Sequence, residues 1–372
     1  MKNLILLSVS VLFSFGAFAQ ESQTYTSLES ALVNPDKVFK LNLSTGKSKN
    51  ITELPEEIGN MKNLRILVLK GTAITTLPES MSKLKNLELL DLSKCYNMKS
   101  YPEVLGKLTS LKKFWSKNHM PEGNRAVLGN LVNLEELDLN STKLGEIPDS
   151  FRNLTKMKTL RLYRGGIAEF PSFFANMKDL ELLNLSSNKL TAYPEFISSL
   201  TNLHSLYLRN NELSEIPESI GNLTNLRVLS LSENEKITSL PVSLKNLIHL
   251  EELSLAYLTS LESLTDIWAN LTNLGEVDLS ESNISSLPES FASLTNLYAL
   301  YLDTNSFKAI PDVIFNLKNL EELSISENPI AIFPEQLAKL PKLEDLDLSD
   351  TELTDKQLEK LEELLPDCDV SY

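Results

Sequence analysis

LHSLYLRNNELSEIPESIGNLTN, residues 203–225, is the stretch of sequence that decides the fold. Its apolar residues follow the phrase LxxLxLxxNxφxxφP, in which φ is apolar, and the phrase begins again at Leu226. A period near 23 residues indicates one supersecondary unit stacked on itself, because a single copy cannot bury its own apolar face. The sequence therefore predicts a solenoid of fourteen repeats, the first one degenerate, with its function on a long surface. The repeats begin at residues 38, 64, 87, 111, 134, 157, 180, 203, 226, 250, 274, 297, 320 and 343.

The two halves of each repeat differ in the spacing of their apolar residues. In the first half apolar residues alternate, as Leu183 and Leu185 do, which is typical of a strand with one buried face. In the second half apolar residues fall three apart behind a proline, as in Pro288 to Leu294, which favours a short helical or 3-10 turn. Successive strands then run in the same direction. The predicted class is α/β, a solenoid (horseshoe) with a concave parallel β-sheet and short helical or 3-10 turns on its convex side.

The ninth position of the repeat often carries a short hydrogen-bonding residue, such as Asn211, Asn234 or Thr142. Buried turns leave backbone N–H and C=O groups that need partners. A column of asparagines, each with a donor and an acceptor, satisfies them between neighbouring repeats. We therefore interpret this column as structural.

These residues resemble a known family. The signature LxxLxLxxNxL followed by xxφPxxφxxLxxL is similar to the 23-residue class of leucine-rich repeats in secreted bacterial proteins, Ras-suppressor-like proteins and plant Ras-group proteins. The resemblance covers residues 38–365. It implies a horseshoe with a ligand-binding concave face and no catalysis, and it implies no cofactor.

The two ends of the chain differ from the repeats. Residues 1–19 have a basic start, an apolar run and a small-x-small site before Gln20, which is typical of a secretory signal peptide cleaved near Ala19 and Gln20. Residues 20–37 are predicted to form an N-terminal helical cap that opens at Thr26. Residues 38–353 form the solenoid. Residues 354–372 form a C-terminal helical cap and tail, with a capping box from Thr354 to Gln357 and a last edge strand.

The composition excludes several classes of function. A formal net charge of −15 repels nucleic acid. No segment after the signal peptide is apolar enough to span a membrane, so we expect a secreted or periplasmic monomer. The three histidines lie in different repeats without metal-ligand spacing, and no nucleophile or acid–base set converges, so neither a metal site nor an enzyme is predicted. Cys95 and Cys368 lie too many repeats apart for a disulfide.

The candidate site lies on the predicted concave face. Outward strand positions carry cationic and aromatic residues in the first half of the chain and acidic residues from position 250 onward. Exposed Trp, Tyr and Arg dominate binding energies, because they bury large areas at modest entropic cost. The predicted ligand-binding residues are Lys113, Trp115, Lys117, Arg161, Tyr163, Arg164, Tyr207, Arg209, Tyr257 and Tyr301.

Several interpretations of this face remain open. The main hypothesis is a protein or peptide ligand gripped by these residues and steered by the acidic strands. An alternative is carbohydrate stacked on the exposed Trp and Tyr rings, and another is a structural surface protein that associates with itself. The repeat at 111–133 lacks the φP phrase, and its segment from Ser116 to Asn124 is either a contact loop or a drifted copy.

Overall fold

A computed structural model describes residues 23–119, 121–261 and 263–372, in two compact units. Unit 1 ends at Gly165, and unit 2 is Gly166–Tyr372. The sequence predicts one solenoid without a dividing linker, and no linker segment separates the units. The boundary falls where Gly165 occupies the ninth position of its repeat and supplies no side chain to the asparagine column. The predicted signal peptide and its cleavage site lie outside the described residues.

Every repeat contributes one short strand. The strands of unit 1 pair in parallel and in sequence order, and so do those of unit 2, which confirms the predicted class in each unit. In unit 1 the strands are β1 Thr24–Tyr25, β2 Lys40–Asn42, β3 Ile66–Val68, β4 Leu89–Asp91, β5 Lys113–Trp115, β6 Glu136–Asp138 and β7 Thr159–Arg161. In unit 2 they are β8 Leu182–Asn184, β9 Ser205–Tyr207, β10 Val228–Ser230, β11 Glu252–Ser254, β12 Glu276–Asp278, β13 Ala299–Tyr301, β14 Glu322–Ser324, β15 Asp345–Asp347 and β16 Asp369–Ser371.

The predicted helical segments are 3-10 turns. In most repeats a proline stands immediately before the turn, as Pro288 does. The apolar residue in the middle of the turn packs into the core, so Trp268 and Phe291 are fully buried as predicted. The turns are Pro35–Lys37, Gly46–Asn50, Glu56–Asn60, Glu79–Lys83, Glu103–Lys107, Arg125–Asn130, Asp149–Asn153, Ser172–Asn176, Glu195–Ser199, Glu218–Asn222, Val242–Asn246, Trp268–Asn270, Glu289–Ser293, Asp312–Asn316 and Glu335–Lys339.

The asparagine column links neighbouring repeats as the sequence predicts. Asn211 Oδ1 accepts from the backbone N–H of Leu190, and its Nδ2 donates to the carbonyl oxygen of Leu185 at 3.1 Å. Asn234 and Asn328 repeat the arrangement. Each asparagine therefore satisfies buried backbone groups of the repeat before it.

Two helices lie near the ends of the described chain. Helix α1, Leu28–Val33, ends before Pro35. Its N-cap is Ser27, which accepts from Ser30 N, so the predicted start at Thr26 is wrong by one residue. The two-residue strand β1 was not expected. Helix α2, Asp355–Leu364, starts after Thr354, whose backbone N–H donates to Gln357 Oε1, and β16 is the expected edge strand. No helix among the described residues is long and apolar enough to cross a membrane.

The irregular repeat at 111–133 buries two polar residues, Ser116 and His119. Tyr101 donates to Ser116 Oγ at 2.8 Å, and Ser116 Oγ lies 2.9 Å from Nδ1 of His119. Nε2 of His119 lies 2.8 Å from the carbonyl oxygen of Met98, so this nitrogen carries the proton. His119 stands at the ninth position of its repeat and is buried. It therefore takes the place of a column asparagine, and Ser116 and His119 do not belong to a contact loop.

This buried histidine makes stability depend on pH. Burial, opposed in part by the hydrogen bond to Met98, lowers the pKa of His119 below its usual value. A depressed pKa gives stability that is present above the unfolded pKa, about 6.5, and is lost as pH falls through the folded pKa. We expect the free energy of unfolding to fall between pH 7.5 and pH 5 in the natural chain, and to fall less in His119→Asn. Urea unfolding of both proteins across this range checks the expectation, and parallel pH profiles would contradict it.

Candidate binding surfaces

In unit 1 the predicted anchors meet around a carboxylate that the sequence interpretation did not include. We call the outward side chains of β5 to β7 the platform. Trp115 Nε1 donates to Glu136 Oε1 at 2.9 Å, and Arg161 NH1 lies 3.2 Å from the same oxygen. Lys113 Nζ lies 3.1 Å from Glu136 Oε2. Cross-strand register brings them together, because Lys113 is the direct partner of Glu136 in the sheet.

A second carboxylate orders the next residues of the platform. Asp138 pairs in register with Trp115 on one side and Arg161 on the other. Its side chain is almost fully buried, and Lys117 Nζ lies 2.9 Å from Oδ2. The same ammonium lies 5.5 Å from the centroid of the Trp115 ring, within the range of a cation–π contact. The indole is therefore held in one orientation before any partner arrives.

The electrostatics of the platform follow from these contacts. Burial raises the pKa of Glu136, but hydrogen bonds from Lys113 and Trp115 and the charge of Arg161 outweigh it, so the pKa lies below its usual value. Glu136 is therefore ionised at neutral pH. Tyr163 and Arg164 extend the platform beyond β7, where the guanidinium carbon lies 5.1 Å from the tyrosine centroid.

In unit 2 the predicted residues line three depressions, the first two of which are joined through Glu233. Tyr207 and Arg209 line a depression of about 250 Å³ in the sheet face. Arg209 Nε donates to Glu233 Oε1 at 2.9 Å, so its charge is offset. Tyr257, 40% exposed, lines a different depression with Glu233. Tyr301 lines a third one, four strands along the sheet from Tyr207.

The tyrosines of unit 2 stand among carboxylates. A hydrogen bond to Glu281 and the charge of that residue raise the pKa of Tyr257. Burial, together with the carboxylate of Glu322, raises the pKa of Tyr301. Both phenols therefore stay protonated and can donate hydrogen bonds at any physiological pH.

The charges of the two units differ in how they are paired. In unit 1 the strand-face cations Lys113, Lys117 and Arg161 each contact a carboxylate. In unit 2 a set of strand-face carboxylates forms no ion pair with lysine or arginine among the described residues. The cations of the platform in unit 1 are therefore balanced by carboxylates. The set of carboxylates on the sheet face of unit 2 is not balanced by lysine or arginine of the described residues. These carboxylates are Glu252, Glu276, Asp278, Glu322, Asp345 and Asp347.

Sequence reasoning missed Glu136 because it stands in an LEELDL phrase, where glutamates recur and are usually solvated. The role of Glu136 could have been recognised by comparing neighbouring repeats. Glu136 is 23 residues after Lys113, so the two share one column of the sheet. When outward positions are compared at intervals of one repeat, Glu136 is found beside the cationic residues of the neighbouring strands.

The described residues do not supply a metal centre. Among residues 23–119, 121–261 and 263–372 no group of three or more His, Cys, Asp or Glu side chains is placed to hold a metal ion. Of the histidines, His119 is buried in its hydrogen-bond network, and His204 and His249 are exposed in other repeats. Cys95 and Cys368 are free thiols. What these surfaces offer is hydrogen bonding, aromatic contact and charge.

The repeated sequence pattern matches two families of known proteins. The family described as "Leucine-rich repeat region" matches residues 36–127, 179–277 and 243–368, and the family described as "Leucine Rich Repeat" matches residues 133–154. No curated protein sequence matches the chain. Since the family matches cover well over half of the chain, it belongs to the leucine-rich repeat family.

Solved structures of the same fold include bacterial and plant proteins. A leucine-rich repeat protein of Leptospira interrogans is 30% identical with a TM-score of 0.77, and the match covers 94% of this chain and 100% of that one. An internalin, InlF of Listeria monocytogenes, is 24% identical with a TM-score of 0.74, over 95% and 96% of the chains. The ectodomain of the Arabidopsis thaliana receptor kinase GASSHO1/SCHENGEN3 is 23% identical with a TM-score of 0.65, over 93% and 45%. The last two show the fold alone.

Proposed function

We propose that this chain is a non-enzymatic, secreted or periplasmic binding protein that recognises a protein or peptide on its sheet face. Its first 19 residues direct export and are removed. Residues 20–37 and 354–372 cap the solenoid of residues 38–353. The mature chain acts as a monomer without a cofactor. N-terminal sequencing of the exported protein, with Gln20 expected as the first residue, tests the export step.

The platform of unit 1 is the observation that carries this proposal. Trp115 is half-buried, hydrogen-bonded to Glu136 and covered on one side by Lys117. An aromatic anchor that is already ordered loses little side-chain entropy on binding, which raises affinity. Tyrosine, tryptophan and arginine are also the residue types enriched at binding hot spots. In support, the plant ectodomain of the same fold was solved in complex with CASPARIAN STRIP INTEGRITY FACTOR 2.

Replacing the anchor should weaken binding selectively. We expect Trp115→Ala to lower the affinity for a partner identified by crosslinking about thirtyfold, because truncation of a hot-spot side chain costs about 2 kcal/mol. Calorimetric titration of the purified partner measures the change. Tyr96→Ala is the matched control, since Tyr96 is 60% exposed in a turn of the same unit, away from the platform.

The outcomes separate the candidate ligands. Equal affinities for the natural chain and Trp115→Ala, with unchanged circular dichroism, would refute the platform as the binding site. Binding to a glycan array that persists at high salt would favour carbohydrate instead, because screening removes the contribution of charge.

A further inference from the structure

One depression of unit 2 has an aromatic wall, a small floor and an acidic wall. It measures about 250 Å³. Tyr207 of β9 stands on one side together with Arg209, whose charge is offset by its ion pair with Glu233. The serines Ser230 and Ser254 form the floor. Glu252 and Glu276 close the other side. A water molecule occupies about 30 Å³ of liquid. The depression is several times larger than that, so it holds one long side chain but no folded element.

A second depression repeats this arrangement further along the sheet. It measures about 170 Å³ and has Tyr301 of β13 as its aromatic wall. Ser324 lies on its floor. Glu322, Asp345 and Asp347 supply the carboxylates. The order of aromatic residue, serine and carboxylate is the same as in the first depression.

The spacing of the two depressions is set by the sheet. Tyr207 and Tyr301 occupy the same position of their strands, and β9 and β13 are four strands apart in the order of unit 2. Neighbouring strands lie about 4.8 Å apart, which separates the two tyrosines by about 19 Å. Next to Tyr301 in the same repeat, Tyr298 is 44% exposed with its ring against Gly275, where an added Cβ would lie 2.5 Å from Cε1.

The negative charge of the carboxylates in these depressions favours the binding of a cation. Their carboxylates form no ion pair with lysine or arginine among the described residues. Glu276 shows the consequence, because burial and the charges of Glu252, Asp278 and Glu322 raise its pKa. Tyrosine faces attract cations through the ring quadrupole, so the tyrosine and the carboxylates of each depression favour the same kind of group.

We infer that the two depressions bind two basic side chains, lysine or arginine, of one extended peptide. An extended chain advances about 3.3 Å per residue, so the basic residues stand about six positions apart in the peptide. The inference rests on the proposed function, because it takes the sheet face as the binding surface, and it adds the charge and the spacing of the ligand.

Synthetic peptides test the spacing directly. Two blocked, fluorescein-labelled Gly/Ser peptides of about eleven residues carry two lysines each, about six positions apart in one and two positions apart in the other. Their net charges are equal. At about 50 mM salt we expect the full chain to bind the widely spaced peptide about tenfold more tightly in fluorescence anisotropy, because the second contact becomes intramolecular. Equal affinities would overturn the inference.

Charge-neutralising variants locate the contacts. The pair Glu252→Gln and Glu276→Gln should remove the tenfold advantage, and so should the pair Glu322→Gln and Asp345→Asn. The matched control is Glu289→Gln with Asp312→Asn, which removes the same charge from exposed positions on 3-10 turns. If the control removes the advantage as well, net charge alone explains the binding and the depressions are not the site.

The experiment separates this inference from the proposed function. Trp115→Ala lies in unit 1 and should leave the binding of both lysine peptides unchanged. Loss of partner binding in Trp115→Ala without any spacing preference would overturn the inference and leave the proposed function standing. A clear spacing preference, with partner binding unaffected by Trp115→Ala, supports the inference and overturns the platform.

Discussion

Asn234→Ala is expected to lower the free energy of unfolding by about 3–5 kcal/mol. The side chain of Asn234 is fully buried. Its Oδ1 accepts from Leu213 N at 3.2 Å, and its Nδ2 donates to the carbonyl oxygens of Leu208 and Leu231 at 3.1 and 2.7 Å. Alanine leaves Leu213 N and the Leu231 carbonyl buried without this partner, whereas the Leu208 carbonyl keeps its hydrogen bond from Asn211 Nδ2. Each buried unsatisfied group costs about 1–3 kcal/mol.

A second asparagine provides the control for this prediction. Asn225 also joins two repeats, because its Nδ2 donates to the carbonyl oxygen of Thr201 at 2.9 Å, but it is exposed. Water can replace that bond, so Asn225→Ala should cost about 1 kcal/mol or less. Urea unfolding gives the two values, and hydrogen exchange at Leu213 reports the local effect. Similar losses in the two variants would show that the buried column does not stabilise the fold.

The column also supports the binding surface. Asn234 lies four residues after Ser230, the last residue of β10, which lies on the floor of the first depression. In a repeat protein each repeat is stabilised mainly by its neighbours, so destabilising one repeat affects the adjacent strands first. We therefore expect Asn234→Ala to weaken the binding of the widely spaced lysine peptide even under conditions where the chain remains folded.

Much of the fold could be predicted because its causes are local and periodic. The alternation of Leu183 and Leu185, and the proline before each turn, recur in almost every copy. The column of Asn211 and Asn234 could be interpreted for the same reason, since short polar residues at one repeat position must meet one another when copies stack.

The candidate site was less predictable, because its contacts join different repeats. The role of Glu136 depends on Lys113, Trp115 and Arg161 in the repeats before and after it. His119 offered a weaker signal, since histidine is uncommon in that column. Its hydrogen-bond partner Met98 and the Tyr101 ring, whose centroid lies 5.9 Å from that of the imidazole, belong to the previous repeat. Charges and aromatic residues become informative when outward positions are compared at intervals of one repeat.

Trp268→Ala is the other change with a large expected effect. Trp268 is fully buried in its 3-10 turn, and its ring centroid lies 4.8 Å from that of Phe291. Removal of a buried aromatic side chain leaves a cavity and costs about 3–5 kcal/mol. Val242→Ala, at an exposed position on a neighbouring turn, should change the free energy of unfolding by about 0.5 kcal/mol or less.

Trp268→Phe should behave differently from Trp268→Ala. The indole Nε1 is buried without a hydrogen-bond acceptor among the described residues, and such a group costs about 1–3 kcal/mol. Phe151, Phe174 and Phe291 occupy the same repeat position, so a phenyl ring suits this core. The gain from removing the N–H offsets the lost volume, and we expect stability within about 1 kcal/mol of the natural chain. Equal destabilisation by Phe and Ala in urea unfolding would contradict this balance. Because the chain has only two tryptophans, Trp268→Phe also leaves Trp115 as the sole indole, and its fluorescence then reports partner binding at the platform directly.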